Sequence, residues 1–232
     1  MTGDTRLTVL EEEVVSCRRC PRLVNYREKI AEEKRRAFRD WTYWGRPVPG
    51  FGDAAAELFI LGLAPAAHGG NRTGRVFTGD RSGDFLYEAL YKAGFASQPT
   101  SLHRDDGLVL KSAFVAAAVR CAPPANKPLP SELLNCRGYL ERELALLKPK
   151  VVLALGKIAW DAYLDILKSE GVIASRAKYV FAHGAVAKLP GDGPRLVGVY
   201  HPSQQNTQTG KLTPEMYTKI LRRIRDFLEQ PN

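Results

Sequence analysis

The sequence predicts an α/β protein whose parallel sheet is covered by helices on both faces. Three observations predict it. Short, continuous apolar runs recur along the chain, as in strands buried on both sides. Longer segments between them carry an apolar stripe at helical spacing. The two kinds alternate, and strand–helix alternation builds a parallel sheet with helices against either face.

Taken in order, the charged stretch from Glu28 to Arg39 reads as a solvated helix within an N-terminal helical segment, residues 1–40. Trp41 to Gly52 holds Pro47, Pro49 and three glycines and reads as a connecting loop. Leu58 to Leu63 is the first strand. Ser82 then caps a helix with Phe85, Leu86, Ala89, Leu90 and Ala93 on one side. Ala113 to Val119 is the second strand, and Ser131 caps a helix bearing Leu133, Leu134, Leu140, Leu144 and Leu147. Val151 to Leu155 is the third strand, Ile158 to Leu167 a helix, and Leu196 to Tyr200 the fourth strand. Thr213 and Pro214 open a last helix with Tyr217, Ile220, Leu221, Ile224 and Leu228 on one face.

The chain has 232 residues, 44% apolar and 25% charged, enough for a sizeable core; it reads as a single domain over 1–232. Lys and Arg number 34 against 25 Asp and Glu, a net +9 that favours a polyanionic partner. An apolar run of about 18 residues is absent, which excludes a spanning helix. Glu11, Glu12 and Glu13 occupy the place of a secretory apolar region, so the chain is expected in the cytoplasm. In that reducing compartment Cys17, Cys20, Cys121 and Cys136 read as metal ligands before disulfides. Cys17 and Cys20 form a C-x2-C pair, and thiolates of this kind serve zinc and iron–sulfur clusters alike.

In parallel α/β sheets the site lies beyond the carboxyl ends of the strands. Three unusual segments occupy those places: Ala64–Asp80, Arg120–Pro130 and His201–Leu212. The first is glycine-rich, but Arg75-Val76 follows Gly74 where a phosphate-binding P-loop needs Lys then Ser or Thr, so a nucleotide cofactor is disfavoured. Phe77 and Asp80 end this segment; they read as a core ring and a helix-start acid, or as a stacking ring and a working carboxylate. Four prolines in ten residues stiffen the second segment around Asn126, whose amide either makes an Asx-turn or reads a base edge. In the third, His201 ends a strand, and Ser203, Gln204, Gln205 and Asn206 form an exposed polar loop suited to phosphates and bases.

Together, Gly62-Leu-Ala-Pro65, Asn71-Arg-Thr-Gly-Arg75, Phe77-Thr-Gly-Asp80, Cys121-x-Pro-Pro-x-Asn126-Lys-Pro128 and His201-Pro-Ser-Gln-Gln-Asn206 resemble the uracil-DNA glycosylase superfamily, most closely its fifth family. The resemblance runs from Cys17 to about Leu212 and includes the placement of the cysteines. It implies a three-layer α/β/α sandwich around a four-stranded parallel sheet. It also implies a 4Fe–4S cluster on Cys17, Cys20, Cys121 and Cys136, the first two carried by the N-terminal segment. Two departures within the superfamily are informative. Leu63 and Ala64 are apolar where many relatives carry a polar catalytic residue, and the Lys-Arg-Arg-Ile-His insertion of the cross-linking relatives is absent.

The implied activity is base-excision repair: hydrolysis of the N-glycosidic bond of uracil and other deaminated bases in double- or single-stranded DNA, by a monomer. In a prokaryote the chain would associate with the nucleoid. Asp80 and His201 are the expected catalytic residues. Leu63, Ala64, His68, Phe77 and Asn126 are expected to bind the base. Arg72, Arg75, Ser203, Gln204, Gln205 and Asn206 are expected on DNA. A metal-stabilised nucleic-acid-binding module without catalysis suits the charge and cysteines equally. It leaves Asp80, Asn126 and His201 at successive strand ends unexplained.

Overall fold

The computed structural model describes residues 5–229; residues 1–4 and 230–232, the two ends of the expected 1–232 domain, lie outside the described residues. The chain starts with α1 (Thr5–Val15) and α2 (Pro21–Glu33). Leu7, Leu10 and Val14 recur at three- and four-residue spacing along α1 and are buried, Leu10 and Val14 beside Tyr139. Pro21 opens α2, where its missing N–H costs nothing. The charged stretch is not one helix to Arg39. Lys34 takes φ 54°, its N–H closes on the Ile30 carbonyl at 3.0 Å, and α2 stops at Glu33. Arg36–Phe38 adds only a single 3-10 turn.

The sheet then builds up from β1 (Phe51–Gly52), β2 (Leu58–Gly62), β3 (Ala113–Ala117), β4 (Val151–Leu155), β5 (Val186–Ala187) and β6 (Arg195–Val199), in the order β1-β3-β2-β4-β6-β5. The four central strands are parallel, as expected. The two-residue strands β1 and β5 pair antiparallel at the edges, which corrects the reading of 41–52 as loop throughout. Such short edge strands leave little free backbone for unwanted pairing.

Successive residues of each central strand enter opposite layers. Leu58, Ile60, Val115, Leu153 and Val197 pack with α4 (Arg81–Lys92) and α8 (Pro214–Glu229). Phe59, Leu61, Phe114, Ala116, Val152 and Leu196 pack with α5 (Pro130–Leu147) and α6 (Lys157–Ser169). The result is a helix–sheet–helix sandwich. Among the described residues, no helix is long and apolar enough to cross a membrane.

Two helix starts differ from the sequence reading. Asp80, not Ser82, caps α4, accepting the Gly83 N–H at 3.0 Å. Pro130 opens α5 ahead of Ser131, and Glu132 reaches back to the Leu129 N–H at 2.7 Å while Arg22 of α2 holds the same carboxylate.

One buried ion pair ties the β3 loop to α5. Arg120 and Glu143 meet in a two-pronged contact, one prong at 2.8 Å, with both side chains almost wholly enclosed. Burial pushes the Glu143 carboxyl up and Arg120 pulls it back down. Glu143→Ala strands a buried guanidinium and is expected to cost about 3–5 kcal/mol, read from urea denaturation; replacing both partners by apolar residues of similar size should recover most of that loss.

Candidate active site

Three connections leave the carboxyl ends of β2, β3 and β6 and meet over the sheet. Their convergence makes one cavity of about 470 Å³, lined by Asp80, Asn126 and His201 together with Leu63, Ala64 and Phe77. Ser203, Gln204 and Gln205 stand on its rim side. A larger cleft of about 860 Å³ runs between the N-terminal helices and the Trp44–Gly52 segment. That cleft contains none of the three strand-end residues, so the smaller cavity is the chemical candidate.

Glycine makes the geometry of the first connection. A Cβ on Gly69 would stand 2.0 Å from Asp80 Oδ2, so only glycine lets the carboxylate lie against this backbone. A Cβ on Gly62 would meet the Phe77 ring at 2.6 Å, which seats the ring across the end of β2. Asp80 therefore does two things: its Oδ1 caps α4, with Oδ2 lying against Gly69, and the residue lines the cavity. Burial raises the Asp80 carboxyl above its usual range, against the lowering pull of the Gly83 and Ser82 N–H groups. Phe77 is both core and wall, because it is buried, lines the cavity and lies 5.9 Å from the His201 ring centroid.

Asn126 sits on a 3-10 turn, Pro124–Asn126, with φ 55° after Ala125 at φ 53°. Its N–H closes on Pro123 at 3.1 Å, while among the described residues its side-chain amide bonds no protein group, so it forms no Asx-turn. His201 is half-buried in the cavity wall, and desolvation pushes its imidazole down to about 4; it is neutral at pH 7 and carries one ring N–H to donate.

The polar segment after His201 is a short helix, α7 (Gln204–Gln208), not an irregular loop, with the Ser203 side chain capping the Asn206 N–H. Asn206 turns back to donate to the His201 carbonyl at 2.8 Å, so it braces His201 and does not line the cavity. His68 also lies outside the lining; its Nδ1 meets the Tyr43 hydroxyl at 3.1 Å. Both expected phosphate-binding arginines are turned inward. Arg75 pairs with Asp106 at 2.7 Å and also donates to Ser101, and Arg72 donates to the His68 and Gly79 carbonyls. Local sequence showed their charge but not these distant partners. Sequence reasoning missed Gly69 as a site residue, although glycine directly after His68 in a strand-end loop was the available signal.

Cys17, Cys20, Cys121 and Cys136 line one small cavity with Arg27, Arg120 and Asn135. Among the described residues no group of three metal-binding side chains closes about a single ion; the sulfurs are disposed around a space. Burial pushes the Cys121 thiol up to about 12 and raises Cys136, so thiolates here require a cationic centre. Arg27 is almost wholly buried, donates to Cys121 Sγ at 2.9 Å and leaves its Nε without a partner. Buried cations beside four sulfurs suit a group that remains negative overall, as a sulfide-rich cluster does. The residues present therefore fit a 4Fe–4S cluster.

A doubly covered parallel sheet with a carboxylate, an amide and a neutral imidazole lining one cavity at its strand ends defines an α/β protein with a candidate active site where such folds carry theirs. The profile of the uracil DNA glycosylase superfamily matches residues 49–225. The type-5 uracil-DNA glycosylase of Mycobacterium leprae is 52% identical over 222 residues, 95% of each chain. That of Thermus thermophilus is 52% identical over 90% of this chain and 92% of its own. A type-4 uracil-DNA glycosylase of Archaeoglobus fulgidus is 30% identical over 67% of this chain and 70% of its own. The chain belongs to the uracil DNA glycosylase superfamily, on the side of its type-5 members.

Proposed function

We infer that this chain hydrolyses the bond between deoxyribose C1′ and the base nitrogen of uracil in DNA, leaving an abasic site. The observation that carries the inference is the meeting of Asp80, Asn126 and His201 on one cavity of about 470 Å³. Inside a duplex the reacting bond is hidden, so the nucleotide is flipped out at a cost of a few kcal/mol, least for a mispaired base. Ser203, Gln204 and Gln205, which line the same cavity, would enter the groove and hold the vacated space. Phe77 stacks on the extruded base, worth about 1–3 kcal/mol. Asn126 meets its polar edge with both a donor and an acceptor.

Bond cleavage leaves positive charge on the sugar and negative charge on the base. Asp80, an acceptor against the cavity wall, takes a proton from the attacking water and offsets the sugar cation. His201 donates to the base oxygen as that oxygen becomes anionic. Leu63 and Ala64 contribute apolar wall with no group to reject a different base, so hypoxanthine and other deaminated bases fit the same pocket. The cluster, held by Cys17, Cys20, Cys121 and Cys136, ties the N-terminal segment to the β3 loop and α5; hydrolysis moves no electrons, and its contribution is structural.

The test is incubation with oligonucleotides carrying one uracil or one hypoxanthine, followed by hot alkali. Strand breakage at uracil is expected, with breakage at hypoxanthine marking the roomy pocket. Intact strands throughout leave a binding module without catalysis. Iron analysis of the same preparation should find about four irons per chain, as one 4Fe–4S cluster requires; zinc in their place would refute the cluster.

A further inference from the structure

Arg72 was expected at the DNA, and its surroundings give it another task. It lies on the short helix α3 (Gly70–Thr73) and is buried. Its Nε donates to the His68 carbonyl at 2.8 Å and its Nη2 to the Gly79 carbonyl at 2.8 Å. Those two carbonyls belong to the residues immediately before Gly69 and Asp80, the pair whose close contact sets where Asp80 Oδ2 stands. One planar guanidinium thus spans both walls of the carboxylate's seat. Gly79 takes φ 75°, and a Cβ there would stand 2.4 Å from Arg72 Nη2, so this approach too requires glycine.

The guanidinium is itself held from outside the sheet. Its carbon lies 4.0 Å from the Phe38 ring centroid, at the end of the N-terminal segment, and 4.1 Å from that of Trp41, which opens the connection after it. Among the described residues Arg72 forms no ion pair, and one nitrogen, Nη1, has no protein partner. Its charge is left unneutralised beside Asp80, and each group acts electrostatically on the other.

We propose that Arg72 is the positioning residue that holds Asp80 over the base cavity, and that Phe38 and Trp41 hold Arg72 in turn. This couples the N-terminal segment to the rate of the reaction without contact to substrate. The proposal rests on the working role of Asp80 inferred above.

The test uses the full-length holoprotein and single-turnover release of uracil. Arg72→Lys keeps the charge but loses the fork between two carbonyls. It should slow the reaction about 100-fold, as expected for a reacting group displaced by about 1 Å. Arg72→Gln loses the charge as well. The acid limb of its pH–rate profile should move to higher pH, because only the Gly83 and Ser82 N–H groups then oppose burial and the neighbouring Asp84 in keeping Asp80 protonated. Arg81 on α4, Asn126 and His201 also face the cavity and are unchanged in both variants, so they cannot produce the difference. Trp41→Ala, at a half-exposed position outside the core, should fold normally and slow the reaction without weakening affinity for abasic-site DNA. It serves if the Arg72 variants do not fold.

In an Asp80→Asn background, Arg72→Lys and Trp41→Ala should cost little more, because a residue acting through Asp80 has nothing left to position. Full additivity with Asp80→Asn, or an unmoved acid limb in Arg72→Gln, overturns the positioning role. A fully active Asp80→Asn protein instead overturns the role of Asp80 itself, whatever Arg72 does.

Discussion

Asp80→Asn is expected to lower the single-turnover rate of uracil release by about 10²–10⁴-fold, the usual span for a lost general base, with little change in affinity for DNA. The substitution is unusually clean here. Asn caps helices as well as Asp does, so the bond from the Gly83 N–H persists and α4 keeps its start. Only the negative charge and the proton acceptor are lost. The pH dependence follows from the burial that raises this carboxyl. A raised acid must shed its proton to work, so the parent rate falls as pH drops through that raised value; the Asn variant should lack the limb. Stability moves the other way. A carboxyl whose folded value is raised favours the fold only while protonated, and that advantage is lost as pH rises through it. At neutral pH the parent therefore bears the cost of a buried charge, and Asp80→Asn should melt no lower than the parent by calorimetry. A slower and less stable variant with poor DNA binding would mean that Asp80 is a cap and nothing more.

That dual role explains what the sequence could and could not convey about this site. Leu58 to Leu61, Ala113 to Ala117 and Val151 to Leu155 read plainly as strands because both faces are buried, leaving no polar alternation to confuse them. Their carboxyl ends then drew attention to Asp80, Asn126 and His201, which meet as that rule requires. The edge strands were illegible: two residues such as Phe51-Gly52 have no period, and only pairing with β3 defines them. Helix α1 falls within the expected helical segment 1–40, but its bounds went unread although Leu7, Leu10 and Val14 carry its signal, since Glu11, Glu12 and Glu13 dominate the stretch. The arginines failed for a different reason. Sequence gives Arg72 and Arg75 a charge, but Trp41, Gly79 and Asp106 decide which way they face, and those partners arrive through tertiary contact. His68 and Asn206 were drawn inward in the same way, one by Tyr43 and the other by the His201 carbonyl.

His201→Ala is expected to slow base release by about 10²–10³-fold, the cost of removing one donor from a developing oxyanion. The donor is well suited to a neutral role. With its imidazole held near 4, the ring is uncharged through the working range, so it offers an N–H to the departing base without setting a full positive charge beside the sugar cation. Asn206 and Ser203, both bonded to the His201 carbonyl, hold the backbone that presents the ring, and Phe77 lies along its face. A second readout separates this role from mere packing. The folded value lies below the ordinary 6.5, so the unfolded chain takes up a proton first as pH falls. The stability tied to a neutral His201 is complete above about 6.5 and drains away toward about 4. His201→Ala should lose that part of the acid sensitivity while keeping the acid limb of the rate profile, which belongs to Asp80. The ratio of the two rate losses then assigns the barrier. A larger loss for His201→Ala than for Asp80→Ala means that departure of the base governs the step and water needs little activation. The reverse order means that capture of the sugar cation by a positioned water governs it, because only the carboxylate can place and deprotonate that water.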